Sequence, residues 1–158
     1  MEQMDERGMQ DARTELPNRK SGEGELDRQR GVARATRSEL AVIARDLDRF
    51  KEVNDVHGHK AGDDVLVAFA RRMQQEVGEQ GFVGRLGGDE FVALRRYSER
   101  DELATLVARL DAVLKVPLRL GTFEAHLSAS IGVAVYPESA TTPEALTNNA
   151  NVAMSRAK

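Results

Sequence analysis

Three acidic side chains set the chemistry this sequence could do: Asp46 behind a short apolar run, and Asp89 with Glu90 directly behind a glycine pair. Carboxylates are hard oxygen ligands for Mg²⁺ and can also accept a proton. In Arg85-Leu86-Gly87-Gly88-Asp89-Glu90-Phe91 the glycines lie between apolar stretches at 82–86 and 91–94, which predicts a tight β-hairpin. Two-residue hairpin loops need positive φ, a conformation glycine adopts without strain. Asp89 and Glu90 are then expected at the hairpin tip with no bulky turn residue in front of them. Asp46 and Asp48 are two apart, so an extended backbone puts them on one face. If the strand at 40–44 runs beside the hairpin, the acids converge. The chain then turns into a short helical stretch at 50–56, whose first N–H groups could cradle a phosphate, with Lys51 adding a cation. That is the outline of a nucleoside triphosphate site built without a P-loop, since no Gly-x-x-x-x-Gly-Lys-Ser/Thr occurs. The residues alone leave phosphoryl or nucleotidyl transfer level with an ordinary hairpin that has a solvated acidic tip.

The elements that must position these groups follow from periodicity. A helix is expected at 24–37, and a clear one opens at Gly62-Asp63-Asp64, with Val65, Leu66, Phe69, Ala70, Met73 and Val77 on one face, ending in 78–81. Ser98-x-x-Asp101 resembles a cap for an amphipathic helix whose apolar face is Leu103, Leu106, Val107, Leu110, Val113 and Leu114, stopped by Pro117. From 123 to 135 every odd residue is apolar, which predicts one long strand with the odd face buried. Thr142-Pro143-Glu144 starts a last helix that runs to Lys158. Removing the outer helices leaves βαββαβ, so the fold class is α+β: a mixed, mainly antiparallel central sheet with surrounding helices.

Bulk properties narrow the class. With 158 residues, 41% hydrophobic and 31% charged, the chain is sized and composed as one globular domain. A net charge of −3 offers no general basic surface for nucleic acid, and no apolar run reaches the ~20 residues of a membrane span. Cysteine is absent, which excludes disulfides and thiolate metal sites. A cytoplasmic domain is the expectation, with any membrane contact made through attached domains. Residues 1–10 are polar and read as a stalk or linker remnant, leaving 11–158 as the domain.

Several spaced motifs agree in order with one family. Arg85 to Phe91, preceded by Asp46-Leu47-Asp48-Arg49-Phe50-Lys51-x-x-Asn54-Asp55 and Gly58-His59-x-x-Gly62-Asp63, closely resembles the GGDEF family of diguanylate cyclases. Asp11-x-x-Thr14-x-Leu16-Pro17-Asn18-Arg19, Ala129-Ser130-Ile131-Gly132-Val133-Ala134 and Ala153-Met154-x-Arg156-Ala157-Lys158 agree as well, so the match runs nearly the whole chain from Asp11. The resemblance implies a palm-like nucleotidyl cyclase core. It implies condensation of two GTP into cyclic di-GMP plus pyrophosphate, across a homodimer of two half-sites. It makes Asp46, Asp89 and the Leu47 carbonyl ligands of Mg²⁺ (Mn²⁺ being the alternative), with Glu90 a further metal or proton-handling group. Lys51 and Lys158 would hold the terminal phosphates, Gly87 and Gly88 would let the nucleotide approach the backbone, Asn54 and Asp63 would read the guanine edge, and Phe50 would join the GTP-binding residues, with a core role competing there. A carboxylate at 63 can accept from guanine N1–H and the 2-amino group, which adenine cannot match.

Departures from the family pattern are specific. The inhibitory product site, Arg-x-x-Asp, is Gly78 and Gly81 here; Arg45 replaces an apolar residue; Arg13 and Glu15 replace Leu and Gly of the front motif; Ser155 replaces a common Tyr. The tail near Tyr136-Pro137-Glu138 resembles members that precede a phosphodiesterase (EAL) domain, so the alternative is a non-catalytic GTP-binding module regulating an attached EAL or sensor domain. Structural roles compete at His57, His59, Asp48, Asp55 and Asp64.

Overall fold

The computed structural model describes residues 10–157; Lys158 and most of the expected stalk lie outside them. In chain order the elements are α1 (Arg19–Thr36), β1 (Glu39–Leu47), α2 (Phe50–His57), α3 (His59–Val77), β2 (Gly81–Gly87), β3 (Glu90–Tyr97), α4 (Arg100–Ala112), β4 (Leu118–Leu120), β5 (Phe123–Ala125), β6 (Ala129–Tyr136) and α5 (Pro143–Ala157). The 4-stranded sheet has the order β2-β3-β1-β6, and each of its pairings is antiparallel. β4 and β5 form a separate hairpin. Without the outer helices this is the expected βαββαβ core, with α2 and α3 together making the first crossover.

β1 lies in the middle of the sheet and is buried on both faces, which explains its unbroken apolar run. Ala41, Ile43, Leu47, Phe91 and Ala93 pack against Leu66, Phe69, Met73 and Leu110 of α3 and α4. On the opposite face Leu40, Val42, Ala44, Val92 and Leu94 meet Leu26, Ala33, Leu146, Ala150 and Met154 of α1 and α5. Two helical layers therefore clamp one sheet.

Five local expectations are corrected. The long strand at 123–135 is two strands, because 126–128 leaves the ladder and the Ser128 carbonyl accepts from Asp48 N at 2.9 Å. Along β6 the fully buried set is the even one, Ser130, Gly132, Ala134 and Tyr136, while Ile131, Val133 and Val135 are half-buried at the sheet edge. The cause is α5, which presses so closely on β6 that a Cβ on Gly132 would lie 2.1 Å from the Ala150 carbonyl. Helix α1 begins at Arg19, earlier than expected, where the Asn18 side chain accepts from Ser21 N at 3.2 Å. Helix α3 begins at His59, so Gly62 lies inside its first turn; α4 is capped by a Glu99/Glu102 box and not by Ser98.

Arg45 is 1% exposed, the least expected core residue. Its guanidinium lies 5.5 Å from the Phe69 ring centre and donates to the carbonyls of Leu110 and Ala129. Burial pulls its pKa down to about 10, against the partial support of Asp111 and Asp48. Desolvation on this scale offsets much of what the hydrogen bonds contribute. Arg45→Met, which keeps the contact with Phe69, is therefore expected to remain within about 1 kcal/mol of wild type in stability, measured by urea unfolding.

A candidate nucleotide and metal site at the end of β1

The hairpin differs from the expected one in a way that matters for the acids. Its two-residue turn is Gly88-Asp89, with Gly87 (φ 148°) and Gly88 (φ 51°) both in the region that favours glycine, and a bulge between Arg85 and Gly87. Asp89 is thus in the turn itself, while Glu90 opens β3. The Asp89 carbonyl accepts from Leu47 N at 3.2 Å, which fastens the turn to the end of β1. Asp46 is 8% exposed, and its carboxyl is within hydrogen-bonding reach of that of Asp89. Burial, then the hydrogen bond and charge of Asp46, push the Asp89 carboxyl up to about 6.

Both acids line an open cleft of ≈ 1070 Å³ that also takes in Arg49, Phe50, Lys51, His57 and the β4–β5 arm. Arg49 precedes α2 with φ 58°, left-handed for a residue with a Cβ, and no side chain caps the start of that helix. The uncapped start of α2 and the exposed Lys51 therefore line the cleft beside the acids. Among the described residues no group of three or more His, Cys, Asp or Glu side chains forms a metal cluster. Two facing carboxylates and the Leu47 carbonyl still suit Mg²⁺, which takes one or two carboxylates and completes its shell from water and phosphate. Like charges this close also favour a cation between them.

The other expected residues separate into two groups. Phe50 and Asn54 converge on Gly62, where a Cβ would lie 1.8 Å from Asn54 Oδ1 and 3.3 Å from Phe50 Cζ; Asp63 follows Gly62 on α3, with its Oδ1 3.1 Å from Arg13 Nη1. This polar corner adjoins the cleft through Phe50. Glu90, by contrast, is half-exposed and outside the cleft lining, with its Oε2 3.8 Å from Arg19 Nη2. The role expected of Lys158 falls outside the described residues.

Asp48 is engaged structurally, its carboxylate accepting from Ser128 Oγ at 2.9 Å and Ser130 Oγ at 2.8 Å. His57 stacks on Phe123, ring centres 4.2 Å apart, and so braces the β4–β5 arm. Sequence reading missed Arg85, a buried charge within a strand. Its Nη1 donates to both oxygens of Asp11 (2.8 and 2.9 Å), while Nε and Nη2 donate to the Gly88 carbonyl at 3.1 and 2.7 Å. The available signal was a guanidinium at a core position, which requires a partner. At Gly81, one of the two positions where the family pattern has an ionisable residue, a Cβ would lie 2.2 Å from Val77 Cγ1 and 2.9 Å from the Leu94 carbonyl.

The sequence profile described as "Diguanylate cyclase, GGDEF domain" matches residues 8–158. This chain belongs to the GGDEF domain family. Diguanylate cyclase TpbB of Pseudomonas aeruginosa is 43% identical over 150 residues, covering 94% of this chain and 34% of that protein. Cyclic di-GMP phosphodiesterase PdeR of Escherichia coli is 32% identical over 148 residues, covering 94% and 22%. The GGDEF domain thus spans about a third of the length of the first relative and less of the second. A crystal structure of a sensory box/GGDEF family protein from Caulobacter crescentus superposes with a TM-score of 0.89 at 41% identity, covering 94% of this chain and 97% of that one. The fold is the nucleotidyl cyclase palm of that family.

Proposed function

We propose that this GGDEF domain is one half of a diguanylate cyclase. Each domain binds one GTP, and two domains face each other so that each 3′-OH attacks the partner's α-phosphate. Two 3′-O–P bonds form, two α–β phosphoanhydride bonds break, and cyclic di-GMP leaves with two pyrophosphates. The observation that carries this reading is the pair Asp46 and Asp89, held together in a cleft beside Lys51 and the uncapped start of α2.

Asp46, Asp89 and the Leu47 carbonyl would hold Mg²⁺ or Mn²⁺, which when bound would supply Lewis-acid polarisation of the α-phosphate and lower the cost of deprotonating the 3′-OH. Lys51 and the α2 N–H groups neutralise the terminal phosphates, with Lys158 given the same role from the sequence. Gly87 and Gly88 present bare backbone to the nucleotide. Glu90 handles a proton or completes the metal shell. Phe50, Asn54 and Asp63 take the base. The domain works where GTP is, in the cytoplasm, as a homodimer within a longer protein that carries sensor or EAL domains.

A relative named as a phosphodiesterase favours a second reading, a GTP-binding module that regulates an attached domain. The deciding experiment measures cyclic di-GMP formation from GTP and Mg²⁺ across a range of protein concentrations. Product rising more steeply than linearly with protein is expected. GTP binding without product, even in a domain dimerised through a fused coiled coil, would leave the regulatory reading standing.

A further inference from the structure

Arg13 stands in the front loop, far in sequence from every residue assigned to the nucleotide, yet its Nη1 lies 3.1 Å from Asp63 Oδ1. The loop is built to hold it there. Asp11 Oδ2 accepts from Arg13 N at 3.2 Å, Thr14 N at 2.8 Å and Thr14 Oγ1 at 2.8 Å, and Asp11 N donates to the Leu16 carbonyl at 2.7 Å. Asp11 is in turn fixed by the buried Arg85, which grips the Gly88 carbonyl. A continuous polar path therefore runs from the turn bearing Asp89, through Arg85 and Asp11, to the loop that aims Arg13 at Asp63.

The pair is weak as a lock. Both side chains are well exposed, at 57% and 40%, and exposed ion pairs of this kind add little to stability. A nucleotide can share Asp63 with Arg13 at small cost. The consequence is chemical: Arg13 engages Oδ1, orients the carboxylate, and sets a cation at the edge of the corner formed by Phe50, Asn54 and Asp63. A guanidinium has more donors than Asp63 can use. Guanine offers it the O6 acceptor where adenine carries an amino group, and Arg is well matched to O6.

We propose that Arg13 is a specificity-determining residue of the base site, pairing a cation for the 6-oxo group with the Asp63 acceptor for N1–H and the 2-amino group. This rests on the reading of Asp63 as the base acceptor. The test is equilibrium binding of GTP, ITP and ATP, by competition with a fluorescent guanine nucleotide, to wild type, Arg13→Leu, Arg13→Lys and Asp63→Asn. Arg13→Leu is expected to lose about tenfold of the preference for both 6-oxo nucleotides over ATP. Arg13→Lys should keep part of it, because its charge remains. Asp63→Asn should erode the preference for GTP over ITP, which lacks the 2-amino group. If Arg13→Leu leaves the 6-oxo preference intact while Asp63→Asn lowers binding, Arg13 is only a surface partner and the base site stands. If neither variant changes any preference, both assignments fall. Arg13 is exposed, so its loss does not threaten folding, and thermal melting checks this.

Discussion

Asp89→Asn is expected to abolish cyclic di-GMP formation and, in the same protein, to raise the melting temperature of the ligand-free domain. The two effects share one cause. The Asp89 carboxyl is half-buried and faces Asp46, so its ionised form is disfavoured and its pKa stands near 6. At pH 7 it is nonetheless ionised, and the fold carries that strain. The shift would correspond to about 3 kcal/mol at ~1.36 kcal/mol per unit, but solvent reaches the group, and a discounted value of about 1 kcal/mol is expected. That is about 2–4 °C in Tm for a domain of this size. The pH dependence has a definite sign. A carboxyl with a raised folded pKa holds its proton more tightly in the folded state, so the penalty is absent at low pH and enters as pH rises from about 4 to about 6. The difference between Asp89→Asn and wild type should be small at pH 4 and complete by about pH 7. Mg²⁺ should narrow it by stabilising wild type alone. Loss of a metal carboxylate removes several kcal/mol of transition-state stabilisation, at least about a hundredfold in rate. Product from the variant at near wild-type rate, or no stabilisation at any pH, would contradict the assignment.

What the sequence revealed about this site is what local patterns can encode. The apolar spacing of α3, the glycines ahead of Asp89 and the acid at the end of β1 are each local in the chain, and the β2–β3 pairing follows from its two-residue turn. The paired acids were legible because a strand beside a hairpin brings them together whatever the surroundings. The rest depended on distant partners. Asp48 meets serines 80 and 82 positions away, and no residue near it signals that its carboxylate is already engaged. Arg45 breaks an apolar run, yet it is absorbed by an aromatic ring and two carbonyls supplied from α4 and β6. The alternation along β6 gave the right period and the wrong face: the side that α5 approaches must be small, so Ser130, Gly132 and Ala134 are buried there while the larger Ile131, Val133 and Val135 reach the edge. Hydrophobic pattern reports volume and polarity, and close helix packing rewards the absence of volume.

Arg85→Ala is the substitution expected to damage fold and site together. Arg85 is 6% exposed and bonds to a carboxylate 74 residues away and to the Gly88 carbonyl in the turn. Removing it leaves that carbonyl without its side-chain donor and the Asp11 carboxylate with only the donors of its own loop. Breaking a buried pair costs about 3–5 kcal/mol, and since Asp11 keeps some access to water the lower figure applies. A fall in Tm of about 6–12 °C is expected. Arg85→Lys should recover little, because an ammonium cannot span both acceptors with a planar fork. The Asp11 carboxyl supplies an internal check. Burial acts to raise it, but the Thr14 N–H and then Arg85 outweigh burial and hold it below its usual value. Its contribution is therefore present above the ordinary carboxylate pKa and is lost as pH falls through the lower folded value. Arg85→Ala should flatten that acid sensitivity, and a double-mutant cycle with Asp11→Asn should show a coupling of at least about 1 kcal/mol. At temperatures where the variant is still folded, kcat should fall because the turn that carries Asp89 loosens, and the preference for guanine should weaken with it because the loop that aims Arg13 at Asp63 loses its anchor. Additive effects in the cycle, or a variant that melts with wild type, would show that the turn is held by its glycines alone.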